Sequence, residues 1–227
     1  LVLTIGGATE YADYSSGNGT KNLSFSYTVQ AGDLDSDGIA VNSNVDLNGG
    51  SLTFVGTNGA DNCNLVLSVP STSSIKIDTV GANVFGVSAP SNATYLLAMP
   101  MTFIVVMDEA VVVTGTPRLT LTIGATTRYA NYLSGSGGTT LFFRYNVVGS
   151  DTDVNGITVT PTIDLNLGTI TDLAGNTATL NFTAPNTTAV LVDGNTPYVT
   201  AVTPPANGSY LAGTNLDFVF TFSEPVT

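Results

Sequence analysis

Leu119, Leu121 and Ile123 alternate with Thr120 and Thr122, and a two-residue period puts apolar side chains on one face of a strand and hydroxyls on the other. Further short apolar runs at 141–148, 157–159, 169–171, 179–182 and 190–192 are separated by Gly, Asn, Asp and Pro, the residues that turn a chain. Each run predicts a strand, and helical periodicity is nearly absent. The most apolar stretch, 95–113, is interrupted by Pro100 and by Asp108 with Glu109. It falls short of the ~20 uninterrupted apolar residues of a membrane helix, so no membrane span is expected in it; it reads as two buried strands. Short strands with a turn signal roughly every 8–12 residues predict an all-β chain of tandem immunoglobulin-like β-sandwich domains, here without the Cys, Trp and Cys core of antibody domains.

The pattern occurs nearly twice. Leu3, Ile5, Tyr11, Tyr14, Gly17, Phe25, Tyr27, Asp33, Asp35 and Gly38 meet Leu121, Ile123, Tyr129, Tyr132, Gly135, Phe143, Tyr145, Asp151, Asp153 and Gly156, all 118 residues later. The spacing then drops to 115, at which Asp78, Val84, Tyr95, Phe103 and Glu109 meet Asp193, Val199, Tyr210, Phe218 and Glu224. A period of this size buries a core of its own, so the repeats are expected to be tandem domains rather than units of a solenoid. Strand-like runs end at Asp78 and Asp193, which divides the chain into 1–78, the C-terminal part of a repeat; 79–193, a complete repeat; and 194–227, the first strands of another. Two arrangements fit this frame: a window from a longer array, or copies that complete one another, with 194–227 of one pairing with 1–78 of the next. An opened sandwich leaves strand edges unpaired, and strand addition satisfies them through main-chain hydrogen bonds. Repeated head to tail, such a contact makes a filament.

Composition narrows the function. Seventeen acids against five bases give a net charge of −12, which argues against nucleic acid, whose phosphates require Lys and Arg, and makes hard cations the natural counter-charge. The single cysteine, Cys63, cannot form an intrachain disulfide; its counterpart is Ala178, so it reads as a small buried strand residue. With no histidine and no repeated nucleophile constellation, the chain is not expected to be an enzyme. Six N-x-[ST] sequons, at Asn18, Asn22, Asn92, Asn181, Asn186 and Asn207, together with few lysines fit an extracellular surface.

Asp33, Asp35 and Asp37 followed by Gly38, and Asp151, Asp153 and Asn155 followed by Gly156, both fit D-x-[DN]-x-[DN]-G, the front half of a calcium loop. The EF-hand's twelfth position falls on Asn44 and Thr162, and Asp46 and Asp164 follow two residues later. These eight residues are the candidate Ca²⁺ ligands. The competing reading is that Asp, Asn and Gly form turns in any β-protein, with side chains capping the backbone; three clustered carboxylates without a cation would repel one another. Asp78, Asp108, Glu109, Asp193 and Glu224 are junction candidates. Tyr11, Tyr14, Tyr129 and Tyr132 are expected to pack at strand ends.

The segments T-G-T-P-R-L-T-L-T-I-G (114–124), D-L-A-G-N (172–176), V-L-V-D (190–193) and F-S-E-P-V (222–226), with the D-x-D-x-[DN]-G loops, resemble the bacterial Ig-like repeats of giant secreted surface proteins. Such repeats occur in repeat-in-toxin type adhesins and cyanobacterial swimming-associated surface proteins. The resemblance covers essentially the whole chain, departing where the first copy reads F-V-G-T-N-G-A-D-N (54–62) in place of D-x-A-G-N. It implies an extracellular or cell-surface role as a calcium-stiffened stalk or fibre, with neighbouring repeats or head-to-tail copies as partners, and cell-surface glycans or other surface proteins beyond them. The alternative expectation is a filament subunit polymerising by strand complementation.

Overall fold

A computed structural model describes residues 1–54 and 63–227 and shows an all-β chain. The F-V-G-T-N-G-A-D-N departure lies almost wholly outside the described residues. The chain forms two compact units, Leu1–Ala82 with Thr171–Thr177, and Asn83–Ile170 with Ala178–Thr227.

The first unit holds β1 (Val2–Ile5), β2 (Ala8–Tyr11), β3 (Asp13–Ser16), β4 (Ser24–Ser26), β5 (Leu34–Asp35), β6 (Ala40–Val41) and β7 (Ile77–Asp78). They form a three-stranded sheet β2-β1-β6 and two pairs, β3-β4 and β5-β7. Alternation in β1 sends Leu3 and Ile5 inward, where with Ala12 they form a small buried core. Leu1, Phe25, Tyr27, Ile39, Val41 and Ile77 pack against it but stay only partly covered.

The second unit continues with β8 (Val84–Ser88), β9 (Ala93–Leu96), β10 (Pro100–Thr114), β11 (Arg118–Ile123), β12 (Thr126–Ser134), β13 (Gly138–Asn146), β14 (Thr152–Asp153), β15 (Thr158–Asp164), β16 (Thr169–Asp172), β17 (Val190–Asp193), β18 (Val199–Thr203) and β19 (Val219–Phe222). One sheet runs β15-β11-β12-β13-β10-β16 with β8 also on β10; a second runs β14-β17-β9; β18 and β19 pair with each other. Every second residue of β10, Met101, Phe103, Val105 and Met107, is buried, as are Leu119, Leu121 and Ile123 of β11 and Leu141 and Phe143 of β13. The alternation at 119–123 is thus the pleat of β11, whose threonines face away from the core.

The apolar stretch 95–113 contributes to two strands, as the sequence suggests. Asp108 and Glu109, however, lie inside β10: the strand continues through them, and its pairing with β13 shifts register between Val106 and Val111, a bulge that absorbs the polar pair. Pro100 is tolerated as the strand's first residue. The run 179–182 forms no named strand but only isolated bridges at Thr179 and Asn181. Cys63 is half-buried and outside any strand, which corrects the expectation of a buried strand thiol, whereas its counterpart Ala178 is buried.

Candidate functional site

The two D-x-D-x-[DN]-G loops fold alike, and their acids serve the backbone. Asp33 Oδ2 accepts hydrogen bonds from the Tyr27 hydroxyl at 2.8 Å and the Gln30 N–H at 2.7 Å. In the second copy Asp151 Oδ2 accepts from the Tyr145 hydroxyl and from the Val148 N–H at 3.0 Å. The next acid bridges two turns. Asp35 accepts the Gly6 N–H at 2.8 Å on one oxygen and the Gly38 N–H at 2.7 Å on the other; Asp153 does the same with Gly124 at 2.7 Å and Gly156 at 2.8 Å. The carboxylate therefore ties the turn ending β1 or β11 to the loop that carries it.

The glycine closing each loop has a specific reason. Gly38 and Gly156 have φ of +109° and +99°, a left-handed conformation that side chains resist. A Cβ on Gly38 would also lie 2.4 Å from the Ser73 backbone, and one on Gly156 2.5 Å from that of Thr187 and Thr188.

Charge is handled differently in the two copies. Arg128 donates from Nε to the other oxygen of Asp151 at 2.8 Å; the equivalent position in the first copy is Glu10. Burial pushes Asp151 up, but the Tyr145, Val148 and Arg128 hydrogen bonds together outweigh it and leave the carboxyl below its ordinary value. Tyr145 is pushed up to about 12 by burial and by its bond to Asp151. Tyr27 also rises to about 12, through burial, Asp33 and Glu10. Asp35 is lowered, first by the Gly6 N–H.

Asp37 and Asn155 are exposed, and the Asn155 N–H joins the loop network by donating to Asp153 Oδ1 at 3.2 Å. Asp46 accepts the Asn48 N–H at 2.9 Å. Asp164 accepts Asn166 N–H at 2.9 Å and Arg118 Nε at 2.7 Å, and Arg118 lies 3.8 Å over the Tyr129 ring. Arg118 first, then Asn166, holds Asp164 below the ordinary carboxylate range. Among the described residues, no three of the candidate carboxylates bring their oxygens within 4.8 Å of one another. N–H and O–H donors point at both oxygens of Asp35, Asp151 and Asp153, which uses part of the accepting capacity of each carboxylate.

Of the junction acids, Asp108 accepts from the Asn83 N–H at 2.7 Å and its amide at 3.0 Å, which lowers its pKa. Asp78 accepts the Val80 N–H at 3.1 Å and Asp193 the Asn195 N–H at 3.2 Å, equivalent Asx turns in the two copies. Glu109 and Glu224 are both half-buried.

Tyr14 and Tyr132 stack edge to face on Phe25 and Phe143 at 6.0 and 5.9 Å, and their hydroxyls accept the N–H of Asn18 and Ser136. In the first unit a cleft of about 400 Å³ is lined by Tyr14, Leu23, Phe25, Val45, Leu47 and Leu52, among others. All six sequon asparagines are exposed.

Sequence reasoning missed Tyr27 and Tyr145, the principal partners of the first loop acids, although both recur six residues ahead of Asp33 and Asp151. It also missed Thr72 and Thr187, whose hydroxyls donate to the carbonyls of Ile39 and Ile157; their spacing of 115 is the signal that identifies them as a pair.

No protein-family model, curated protein or solved structure matches the chain. No helix among the described residues is long and apolar enough to cross a membrane.

Proposed function

We propose that the chain is a structural segment of a large extracellular or cell-surface protein, built from tandem immunoglobulin-like β-sandwich repeats and acting as an extended stalk or fibre. The observation that carries this reading is the nature of what is repeated. The residue pairs common to both copies, Tyr27 with Asp33 and Tyr145 with Asp151, Asp35 with Gly38 and Asp153 with Gly156, Tyr14 with Phe25 and Tyr132 with Phe143, all hold turns and strand ends. Repeating turn locks make repeating scaffold. Exposed sequons and a net charge of −12 suit a hydrated outer surface.

On this reading the Asp loops lock backbone turns without calcium, and stiffness comes from the closed turns. Small-angle scattering of the chain, repeated in Ca²⁺ and in EDTA, is the test. The same elongated particle in both conditions supports the proposal; compaction or bending in EDTA would return the loops to a calcium role. A compact spherical particle in both conditions would defeat the stalk reading.

A further inference from the structure

The chain enters the sheets of the second unit through β8 and β9 and leaves them through β17. β9 and β17 pair in parallel, with Ala93 facing Val190 and Leu96 facing Asp193. The chain therefore comes in at the Ala93 end of this pair and goes out at the opposite, Asp193 end. Tension between entry and exit slides one strand along the other. Interstrand hydrogen bonds lie across that direction, so they are loaded together, whereas strands drawn apart from one end lose their bonds one by one. Sliding also drags packed side chains, because Tyr95 on β9 and Val190 and Val192 on β17 are buried. The start of β9 is pinned by the Ala93 N–H donating to the Ala189 carbonyl at 3.1 Å and by the Tyr95 hydroxyl donating to the Ser91 carbonyl at 3.0 Å.

β8 is loaded in the same sense. Its entry residue Val84 faces Met107, well along β10. The exit lies near the start of β10, where Pro100 faces Asn146 and the loop that follows carries Asp151, whose carbonyl accepts the Gly194 N–H at 2.7 Å.

Both copies fasten the exit to the acid loop. β14 pairs with β17 through Thr152 with Asp193 and Asp153 with Val192, and β5 pairs with β7 through Leu34 with Asp78 and Asp35 with Ile77. The residue after the last strand is then tied to the carbonyl of the first loop acid. In the second copy the tie is the Gly194 N–H on Asp151. In the first it is the hydroxyl of Thr79, 115 residues earlier, which donates to the Asp33 carbonyl at 2.8 Å and accepts the Gly32 N–H at 2.9 Å. Two different groups make one tie. Because the Asp151 carboxylate is held by Tyr145 of β13 and Arg128 of β12, the exit of the second unit is fastened to two further strands.

We propose that the second unit bears tension, with β9 and β17 as a clamp loaded by sliding and the Asp151 loop as the anchor that holds the exit end of β17. This role rests on the stalk reading, since a chain under tension loads its own ends.

Single-molecule force spectroscopy of the full chain tests it, in a Cys63→Ala background with DNA handles on introduced cysteines. Handles at Val80→Cys and Thr196→Cys, both exposed positions, pull on entry and exit and slide the pair. Handles at Ser91→Cys and Thr188→Cys, also exposed, sit at one end of the pair and peel it. Forced unfolding reads the rate of unfolding, and at equal loading rate sliding is expected to need at least about twofold more force than peeling. Ala93→Pro removes the N–H that meets Ala189 and should raise the unfolding rate under sliding by about fivefold, the ratio that one hydrogen bond's net contribution gives. Tyr145→Phe loosens the anchor and should lower the sliding force while leaving the peeling force unchanged. Gly137→Ala is the control: its φ is +88° and nothing lies within 4 Å of the added Cβ, so it should lower the urea midpoint and leave the sliding force in place. Equal forces in the two geometries, or a sliding force that simply follows the urea midpoint across the three variants, overturns the clamp. A sliding force indifferent to Tyr145→Phe overturns the anchor. Either failure would leave an elongated scattering particle, and with it the stalk reading, intact; a compact particle would defeat the stalk while the measured forces still stood.

Discussion

The hydroxyl of Tyr145 donates to Oδ2 of Asp151, a carboxylate only 1% exposed, and Tyr27 and Asp33 repeat the bond on the half-buried loop of the first unit. Four donors from three different segments converge on this acid and its loop: Tyr145, Val148, Arg128 and, through the Asp151 carbonyl, the N–H of Gly194. Asp151 is therefore a tie point between a strand end, a turn and a neighbouring strand, and its worth is measurable.

Tyr145→Phe is expected to destabilise the second unit by about 1–3 kcal/mol, since a buried charged acceptor loses a donor. Urea unfolding followed by tyrosine fluorescence or circular dichroism reads it. Tyr27→Phe removes the same bond at a wetter site, and its effect is expected to be smaller. Equal losses at both sites would contradict the difference in burial.

Stability should depend on pH in a direction that follows from these groups. The folded pKa of Asp151 lies below its ordinary value, so its contribution is present above the unfolded carboxyl pKa, about 3.9, and is lost as pH falls through the lower folded value. Tyr145 behaves oppositely. Its pKa is raised to about 12, so its contribution is complete below the unfolded value near 10 and is lost as pH rises through about 12. Denaturant midpoints measured from pH 2 to 12 should plateau between about 5 and 9 and fall at both ends. In Asp151→Asn the fall on the acid side should be shallower.

Gly156→Ala combines a φ of +99° with a Cβ contact at 2.5 Å to backbone, and backbone cannot move aside as a side-chain tip can. A left-handed alanine alone costs about 1–2 kcal/mol, and the clash adds to it. Gly175→Ala is the control: φ is +97° but nothing lies within 4 Å of the added Cβ, so only the conformational cost applies. Thermal melts should rank Gly156→Ala well below Gly175→Ala.

Arg118 joins Asp164 through Nε and covers the Tyr129 ring. Arg118→Lys keeps the charge but not the planar stack or the directed N–H, so most of the loss seen in Arg118→Ala, about 1 kcal/mol, should remain. Full rescue by lysine would show the contact to be a simple charge pair.

Calcium added at millimolar concentration should move the second unit's melting midpoint by less than about 1 °C, because the oxygens of Asp151 and Asp153 already accept protein donors. A cation binding the folded state alone at 100 times its Kd would add about 2.7 kcal/mol, far outside that limit. Calorimetric titration of Asp37→Asn and the unaltered chain distinguishes binding at the exposed first-copy residue from none.

Local periodicity and internal repetition made much of this protein legible from sequence. Alternation at 119–123 is the pleat of β11, and the offsets of 118 and 115 predicted which residues would hold equivalent bonds, because equivalent neighbours impose equivalent geometry. The strand property is local: side chains alternate wherever the backbone is extended. Only the tertiary structure showed which backbone donors the loop acids meet. Asp35 and Asp153 accept from Gly6 and Gly124, each 29 residues away in the chain. The tertiary structure likewise decided that β10 runs through Asp108 and Glu109, since a bulge is a matter of partner strands, and that β9 lies parallel to β17 across most of the second unit's sequence. Those partners are set by packing at long separation, which a pattern read along the chain does not contain.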